Sequence, residues 1–209
     1  MKRYCLLTVV AMLLALPFSA QAAPAAEKDS LKASRDIQVK LSALAAIGIV
    51  NPAVEFKVYD KLSVQLEALG IFYSENFLGT GKPLVLGAGF LELRYYPKAL
   101  FRGFYFGPNI GYGSYRLNKG LILRYTGDYD NDCYQVGSNI MAGLTIGYTF
   151  NLNSHWSLEV SWSGGFQHSR YTGFSRESKD EPYTQYYPLN SSAEWPPLYK
   201  GGLFVVYKF

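Results

Sequence analysis

The sequence has few of the residues that most catalytic and metal sites use. It contains two cysteines, two histidines and three methionines among 209 residues. Cys5 lies in an N-terminal targeting stretch, so Cys133 is the only cysteine expected in the mature chain and no intramolecular disulfide can form. With so few histidines to activate a thiol, we interpret Cys133 as an incidental loop cysteine.

Charge is also scarce. Charged residues make up 17% of the chain, against about a quarter in average proteins, and Lys and Arg are spread thinly. A nucleic-acid surface is therefore not expected. The hydrophobic fraction of 49% excludes a disordered chain, while the 18 tyrosines and 20 glycines favour β-structure.

The N-terminus has the three parts of a secretory signal. A short basic start precedes an apolar core over residues 6–18, which is too short to span a bilayer, and Ala20-Gln21-Ala22 forms a cleavage site. The sequence therefore predicts a signal peptide over 1–22, a flexible periplasmic leader over 23–35 and a single β-domain over 36–209.

From Asp36 onward the dominant pattern is alternation of apolar and polar residues, the period of a β-strand. Helical spacing is weak throughout this part. We predict about eight strands, an even number, as bacterial outer-membrane barrels require. Clear apolar faces are formed by Ile37, Val39, Leu41; Val54, Phe56, Val58; Leu144, Ile146, Tyr148; and Trp156, Leu158, Val160.

Connection lengths and aromatic positions favour a membrane barrel over a soluble one. Short turns at Asp60-Lys61, 97–102 and 151–154 alternate with long loops over 74–83, 117–134 and 168–197. Asn51-Pro52 is an exception, a short turn on the long-loop side. Aromatic residues gather at both strand ends, where two lipid interfaces would lie. The predicted fold is all-β, a transmembrane antiparallel up-and-down β-barrel.

The face opposite the apolar one carries charges of both signs. In a barrel of eight strands the interior holds only side chains, so we expect these charges to pair in the lumen and bulk solute transport to be excluded. Several inward glycines, among them Gly107, Gly111, Gly137, Gly143, Gly147 and Gly165, would leave a thin wet gap. The predicted lumen network is Lys40, Glu55, Lys57, Glu67, Glu92, Arg94, Glu159 and Lys200.

The last strand places an apolar residue at every second position and ends on an aromatic one. It resembles the C-terminal strand that barrel-assembly machinery recognises, and it must pair with the strand that begins near Asp36 because an open edge cannot persist in lipid. The predicted assembly signal is Leu203, Val205, Tyr207 and Phe209.

Two motifs resemble known chemical sites but lack a required feature. His168-Ser169 with Glu177 resembles a hydrolytic set, but adjacent side chains of a strand point to opposite faces. Asp128-x-Asp130-x-Asp132 resembles the start of a calcium loop, but Cys133 and Asn139 occupy the positions where glycine and glutamate are required. We predict no catalysis, no metal and no cofactor.

The long segment 168–197 mixes aromatic rings with charged residues. Rings give contact area at small entropic cost, which suits recognition of a partner. A loop packed over the barrel mouth would have the same composition. The predicted surface-loop recognition residues are Tyr171, Tyr183, Tyr186, Tyr187 and Trp195.

Short motifs along the whole domain resemble a family of uncharacterised outer-membrane barrels of Bacteroidetes, the domain of unknown function 3575. Two positions depart from the family pattern: Lys40-Leu41-Ser42-Ala43 replaces a frequent Lys-Thr-Asn-Leu, and Leu62 replaces a frequent Trp. The resemblance implies an outer-membrane barrel without established activity, encoded near surface-fimbria genes. It rests on Asn51-Pro52 before Val54-Glu55, Leu62-Ser63-Val64, Leu93-Arg94-Tyr95-Tyr96, Gly103-Phe104-Tyr105-Phe106-Gly107, Gly143-x-x-x-Gly147-Tyr148, Trp156-Ser157-Leu158-Glu159 and the final Tyr-x-Phe.

These observations predict a monomer of the cell outer membrane with a structural, adhesive or surface-assembly accessory role. Two alternatives stay open: an outer-membrane lipid-modifying enzyme, and a soluble periplasmic lipocalin-like binding protein. The expected partners are outer-membrane lipid, barrel-assembly machinery, and fimbrial or other surface proteins, with no nucleic acid.

Overall fold

A computed structural model describes residues 37–80, 82–118, 133–175 and 182–209. The predicted signal peptide and leader lie outside these ranges. The described residues form ten strands and one short 3₁₀ helix, η1 (Ala43–Ile47). The strands are β1 (Ile37–Ser42), β2 (Ile49–Val50), β3 (Pro52–Tyr59), β4 (Leu62–Tyr73), β5 (Leu84–Tyr95), β6 (Gly103–Leu117), β7 (Cys133–Asn151), β8 (Trp156–Ser175), β9 (Thr184–Glu194) and β10 (Lys200–Lys208).

Eight of these strands form a closed antiparallel ring. The order is β1, β3, β4, β5, β6, β7, β8 and β10, and β10 returns to pair with β1. Neighbours in the ring follow one another along the chain, apart from the short β2 and the outlying β9. The predicted all-β antiparallel fold and the number of strands in the ring are confirmed.

The short turns lie at one end of the ring, between β3 and β4, β5 and β6, and β7 and β8. The turn after β7 is held by Asn153, whose side-chain oxygen accepts from the amides of His155 and Trp156 at 2.8 Å each. Asn is favoured here because its short side chain bonds its own backbone two residues on.

The connection between β1 and β3 differs from the predicted Asn51-Pro52 turn. Ala43–Ile47 forms η1, which starts where the amide of Leu44 donates to Ser42 Oγ at 3.2 Å and ends at Gly48, whose φ is 77°. The run of small and apolar residues in Ala43–Ile47 favours a helical turn over an extended one. Pro52 then begins β3.

The predicted long loop over 168–197 is wrong in extent. β8 continues to Ser175 and β9 begins at Thr184, so both strands reach far into the segment. Beyond His168 the outward residues Arg170 and Thr172 are polar, so the hydrophobic alternation fades while backbone pairing with β7 continues to Ser175. Pairing, which sequence periodicity does not report, maintains the strand there.

β9 and β10 both pair with β8 and are separated by Pro196-Pro197, which have no amide hydrogen to donate to a ladder. The chain stays close to β8 across this break, since the amide of Gly165 donates to Pro196 O at 3.1 Å. A Cβ on Gly164 would lie 2.2 Å from Pro197 O. Glycine is required at this position by the close approach of the two backbones.

Polarity is divided between the two faces of the ring. Outward side chains of consecutive strands are apolar and exposed, whereas many of the inward ones are polar or charged and buried. Within the residues that the structure describes, no helix has the length and apolar character needed to cross a membrane. The outward set includes Phe56, Leu66, Leu91, Phe106, Ile110, Leu144, Ile146, Val160, Leu203 and Val205.

Candidate functional site

A buried ionic cluster occupies the interior of the ring. Its members come from β1, β3, β4, β5, β8 and β10, and each is at most 5% exposed. Alternation along each strand turns them all inward. The ionic cluster consists of Lys40, Glu55, Glu67, Glu92, Arg94, Glu159 and Lys200.

Arg94 lies at the centre of the ionic cluster. Its Nε donates to Glu92 Oε1 at 2.5 Å, and its Nη1 donates to Glu159 Oε1 at 2.8 Å and to Glu55 Oε2 at 3.2 Å. Its guanidinium carbon lies 4.3 Å from the centroid of the Tyr105 ring. The planar fork of arginine presents its donors in fixed directions, and three carboxylates accept from it here.

Two lysines extend the ionic cluster on either side. Lys40 Nζ lies 2.5 Å from both Glu55 Oε2 and Glu159 Oε2, and it therefore ties β1 to β3 and β8. Lys200 Nζ donates to Glu67 Oε2 at 2.7 Å and to Glu92 Oε2 at 2.8 Å. Each cation thus bridges carboxylates on different strands.

The ionic cluster holds four carboxylates and three cations, and neutral donors supply further hydrogen bonds. The hydroxyls of Tyr96 and Tyr105 donate to Glu55 at 2.8 Å and to Glu159 at 2.7 Å. Buried charges persist only when their lone pairs and protons are satisfied, so these donors are part of the structure's electrostatic balance. Further donors are Gln38 and Ser63 to Glu55, Asn51 and Gln65 to Glu67, and Thr145 to Glu92.

Lys57, predicted in the lumen network, does not join the ionic cluster. Its side chain is 27% exposed and pairs with Asp60 at 3.4 Å. Lys57 forms the last regular pair of β3 with β4, opposite Ser63, before the register shift next to the turn. Its side chain therefore lies at the end of the ring, where Asp60 is in reach. The other seven predicted residues are brought together.

Besides the neutral donors to the carboxylates, Lys208, Tyr96 and Tyr105 lie in the interior and were not predicted there. Lys208 is 7% exposed and donates to Phe101 O at 3.0 Å and to Asn151 Oδ1 at 2.8 Å, and Tyr96 and Tyr105 are fully buried. A signal existed for Lys208 and Tyr105, since both alternate with outward apolar residues. Tyr96 follows the end of β5, where alternation gives no assignment.

Aromatic rings lie against two of the inward glycines, and the thin wet gap beside these glycines stays a prediction. A Cβ on Gly147 would lie 2.3 Å from Tyr105 Cζ, and one on Gly111 would lie 2.3 Å from the Phe90 ring. The missing side chains therefore make room for larger neighbours across the ring interior. Tyr105, one of these neighbours, also donates to Glu159 of the ionic cluster.

His168 and Ser169, the adjacent pair considered for chemistry, lie on opposite faces of β8. Ser169 is 5% exposed and turned inward, whereas its neighbour His168 faces the other side of β8. Glu177 and the Asp128-x-Asp130-x-Asp132 motif lie outside the described residues. Cys133 begins β7 instead of lying in a loop, and its carbonyl accepts from Asn118 Nδ2 at 2.8 Å.

Among the described residues, no group of three or more His, Cys, Asp or Glu side chains is placed to hold a metal ion. The carboxylates of the ionic cluster are instead taken up by lysine, arginine and neutral donors.

The predicted recognition residues are dispersed. Tyr171 is 8% exposed inside β8, so its assignment to a surface loop is wrong: it lies on the inward face of a strand. Tyr183 packs edge-on against Tyr134, with ring centroids 4.7 Å apart. Trp195 is 77% exposed. Tyr186 and Tyr187 lie in β9, and their side chains fall outside the described part of the structure.

The terminal residues Leu203, Val205 and Phe209 are exposed on the outer face, and Tyr207 packs edge-on against Trp156 and Phe209 there. The amide of Phe209 donates to Ile37 O at 3.2 Å, which closes the seam between the last strand and the first. Their role as an assembly signal stays a prediction.

A family model described as "Protein of unknown function (DUF3575)" matches residues 8–207, nearly the whole sequence. None of the curated proteins matches the chain.

Proposed function

The chain belongs to the domain of unknown function 3575 family, and we propose that it is an outer-membrane β-barrel with a structural, adhesive or surface-assembly accessory role and no catalytic activity. The observation that carries the proposal is the inverted polarity of the ring, apolar and exposed outside, charged and buried inside. A lipid-embedded barrel has this distribution, and a soluble one has the opposite.

The outer face supports contact with lipid. Leu144, Ile110 and Val160 are 65%, 53% and 48% exposed, and exposed apolar residues continue around all the strands of the ring. Soluble monomers rarely expose contiguous apolar patches larger than a few hundred Å². A continuous apolar surface around the ring is stable where hydrocarbon surrounds it.

Aromatic side chains at both ends of the ring support two membrane interfaces. At the short-turn end Tyr148 packs on Phe150 with centroids 4.5 Å apart, and Tyr95 packs on Phe106 at 5.6 Å. Towards the other end, Phe72 and Tyr112 are 71% and 60% exposed. Outer-membrane barrels carry such girdles at headgroup level.

The closed ring and its filled interior support a structural role. Each strand of the ring pairs on both sides, so the bilayer would meet no open edge. The ionic cluster blocks the interior, which disfavours passage of solutes. Assembly into the membrane by barrel-assembly machinery, with Phe209 as part of the signal, belongs to the same proposal.

A contact surface beyond the bilayer supports the adhesive or accessory role. β7 and β8 contain 19 and 20 residues, about twice the 9–11 residues that a tilted transmembrane strand needs. The additional residues lie at the strand ends remote from the short turns, where β9 pairs with β8. There Leu189 is 61% exposed, and Trp195, which follows β9, is 77% exposed, as expected of residues that meet a surface protein.

The membrane claim is tested by quenching of single tryptophans with brominated lipids. Two variants are made in which all tryptophans except Trp162, or all except Trp195, are replaced by Phe. After refolding into vesicles, we expect bromines near the bilayer centre to quench Trp162, on the outer face of β8, more strongly than Trp195. Protein that stays in the aqueous fraction with Trp162 unquenched would favour the soluble lipocalin-like alternative.

The surface role is tested by a photo-crosslinking residue at Leu189 in intact cells, with Val205 as the control. We expect a discrete protein adduct from position 189 and only lipid adducts from position 205, since Val205 lies on the outer face of the ring. Absence of a protein adduct from both Leu189 and Trp195 would remove the adhesive and accessory roles and leave the structural one.

A further inference from the structure

An apolar groove of about 800 Å³ lies on the outer face of the ring. It crosses β4, β5 and β6, and its edges reach β3 and β7. Leu66, Leu91, Ile110 and Tyr112 form its sides, while Ala68 and Gly89 form its floor. The groove is thus a depression in a wall that is otherwise covered by large apolar side chains.

The small residues of the floor are not required by the fold. Ala68 and Gly89 are paired across β4 and β5, and a Cβ on Gly89 would lie 4.0 Å from its nearest neighbour, the carbonyl oxygen of Glu67. A Cβ on Gly87 would meet nothing within 4 Å. Neither glycine has a left-handed φ. Larger residues would fit at these positions, so the small residues are what creates the groove.

A cation stands above the groove on the same face. Arg116 lies four residues beyond Tyr112 on β6, about 13 Å along an extended strand, and its guanidinium carbon is 4.1 Å from the centroid of the Tyr134 ring. Its Nε is buried and has no hydrogen-bond partner among the described residues. None of the ion pairs between described residues includes Arg116. A stacked arginine with an unused donor is suited to a phosphate.

We propose that the groove binds one acyl chain of a phosphate-bearing membrane lipid and that Arg116 binds its phosphate, an inference that rests on the proposed membrane location. The carboxylate of Glu67, which also borders the groove, does not repel the phosphate, because it is turned inward onto Lys200 at 2.7 Å. A second copy of this chain fits less well, since a two-fold contact would place one concave surface against itself and leave a void.

The proposal is tested by titrating the full-length protein in detergent micelles with dimyristoyl phosphatidic acid and with dimyristoyl glycerol, read out by native mass spectrometry. Gly89→Leu fills the groove, and Arg116→Gln removes the charge. Leu203→Phe, on the outer face of β10, and Arg170→Gln, an exposed cation on β8, are the matched controls.

We expect the wild type to bind one phosphatidic acid per chain. Gly89→Leu should weaken binding of both lipids at least tenfold, and Arg116→Gln should weaken phosphatidic acid at least tenfold while leaving the diacylglycerol unchanged. Both control variants should behave as the wild type does. Unchanged affinities in the two groove variants would overturn the proposal.

Two other outcomes would also overturn it, and they are distinguishable. A dimer in the wild type that Gly89→Leu converts to a monomer would make the groove a subunit contact. Alternatively, brominated lipid quenches Trp162 while the chain binds no lipid one to one. This outcome would support the membrane location and contradict the lipid site. Failure of the quenching itself would end both proposals.

Discussion

Arg94 and Glu159 join opposite walls of the ring, with Nη1 of the arginine 2.8 Å from Oε1 of the glutamate although 65 residues separate them. Arg94 lies near the end of β5 and Glu159 near the start of β8, so β6 and β7 lie between them along the ring. The pair therefore spans the interior instead of following the sheet. Its loss affects two walls at once, and that makes it the most direct test of the ionic cluster.

Replacement of Arg94 by Met should destabilise the fold by about 3–5 kcal/mol, because it leaves Glu92, Glu55 and Glu159 buried with one cation fewer. The matched control is Lys57→Met, which removes a partly exposed pair with Asp60 and should cost less than about 1 kcal/mol. Denaturant unfolding in detergent micelles measures both. Equal costs would show that the ionic cluster contributes no more than a surface pair.

The Tyr105 hydroxyl should contribute about 1–3 kcal/mol, because Tyr105→Phe leaves the buried Glu159 carboxylate without one donor. The ring itself stays against Gly147, so packing is preserved. Tyr148→Phe is the control, since Tyr148 is 46% exposed on the outer face, and it should change the free energy of unfolding little. An equal change in the two variants would assign the effect to the phenol in general and not to Glu159.

Two glycines of neighbouring strands should respond oppositely to alanine. A Cβ on Gly107 would lie 1.7 Å from Leu93 O, so Gly107→Ala should cost about 1–3 kcal/mol through overpacking. Gly87 has open space, and Gly87→Ala should be neutral or stabilise by about 0.4–1 kcal/mol by restricting the unfolded chain. Thermal unfolding of both variants tests the close approach of β5 and β6, which a tolerated Gly107→Ala would refute.

A charge in the outer belt should be costly. Leu144→Arg, near the middle of β7, should destabilise by about 2–4 kcal/mol if lipid surrounds this face. Leu152→Arg is the control, because Leu152 is 57% exposed in the turn after β7, and it should stay within about 0.5 kcal/mol. Unfolding from lipid vesicles is the measurement, and similar costs at the two positions would argue against a bilayer around Leu144.

The aromatic side chain of the terminal Phe209 should be needed for efficient assembly. Phe209→Ser keeps the backbone bond to Ile37 but removes a side chain that is 62% exposed and packs on Tyr207. We expect less heat-modifiable protein in the outer-membrane fraction of cells. Phe150→Ser, which removes a comparably exposed ring at the same end, should leave recovery unchanged. Equal recovery of the two variants would remove the terminal-signal prediction.

Alternation along the strands predicted much of this structure, since it depends only on which face each side chain takes. The short turns and seven of the eight predicted interior charges follow from it. The prediction for Lys57 failed because this residue lies at the end of the ring beside Asp60, and periodicity does not report depth in the interior. The prediction for Tyr171 failed because its neighbours Arg170 and Thr172 are polar, so no hydrophobic alternation marks the strand there. The partners of Arg94 could not be predicted either, since they depend on how neighbouring strands are staggered.

The seam between β1 and β10 joins the first described strand to the last, with Gln38 opposite Lys208. Such distant pairing raises the contact order, so the ring cannot close until synthesis is complete, and closure should be the slow step of folding. Until then both unpaired edges and the apolar outer face are open to aggregation. We therefore expect the isolated chain to aggregate before closure unless another protein keeps it unfolded and soluble.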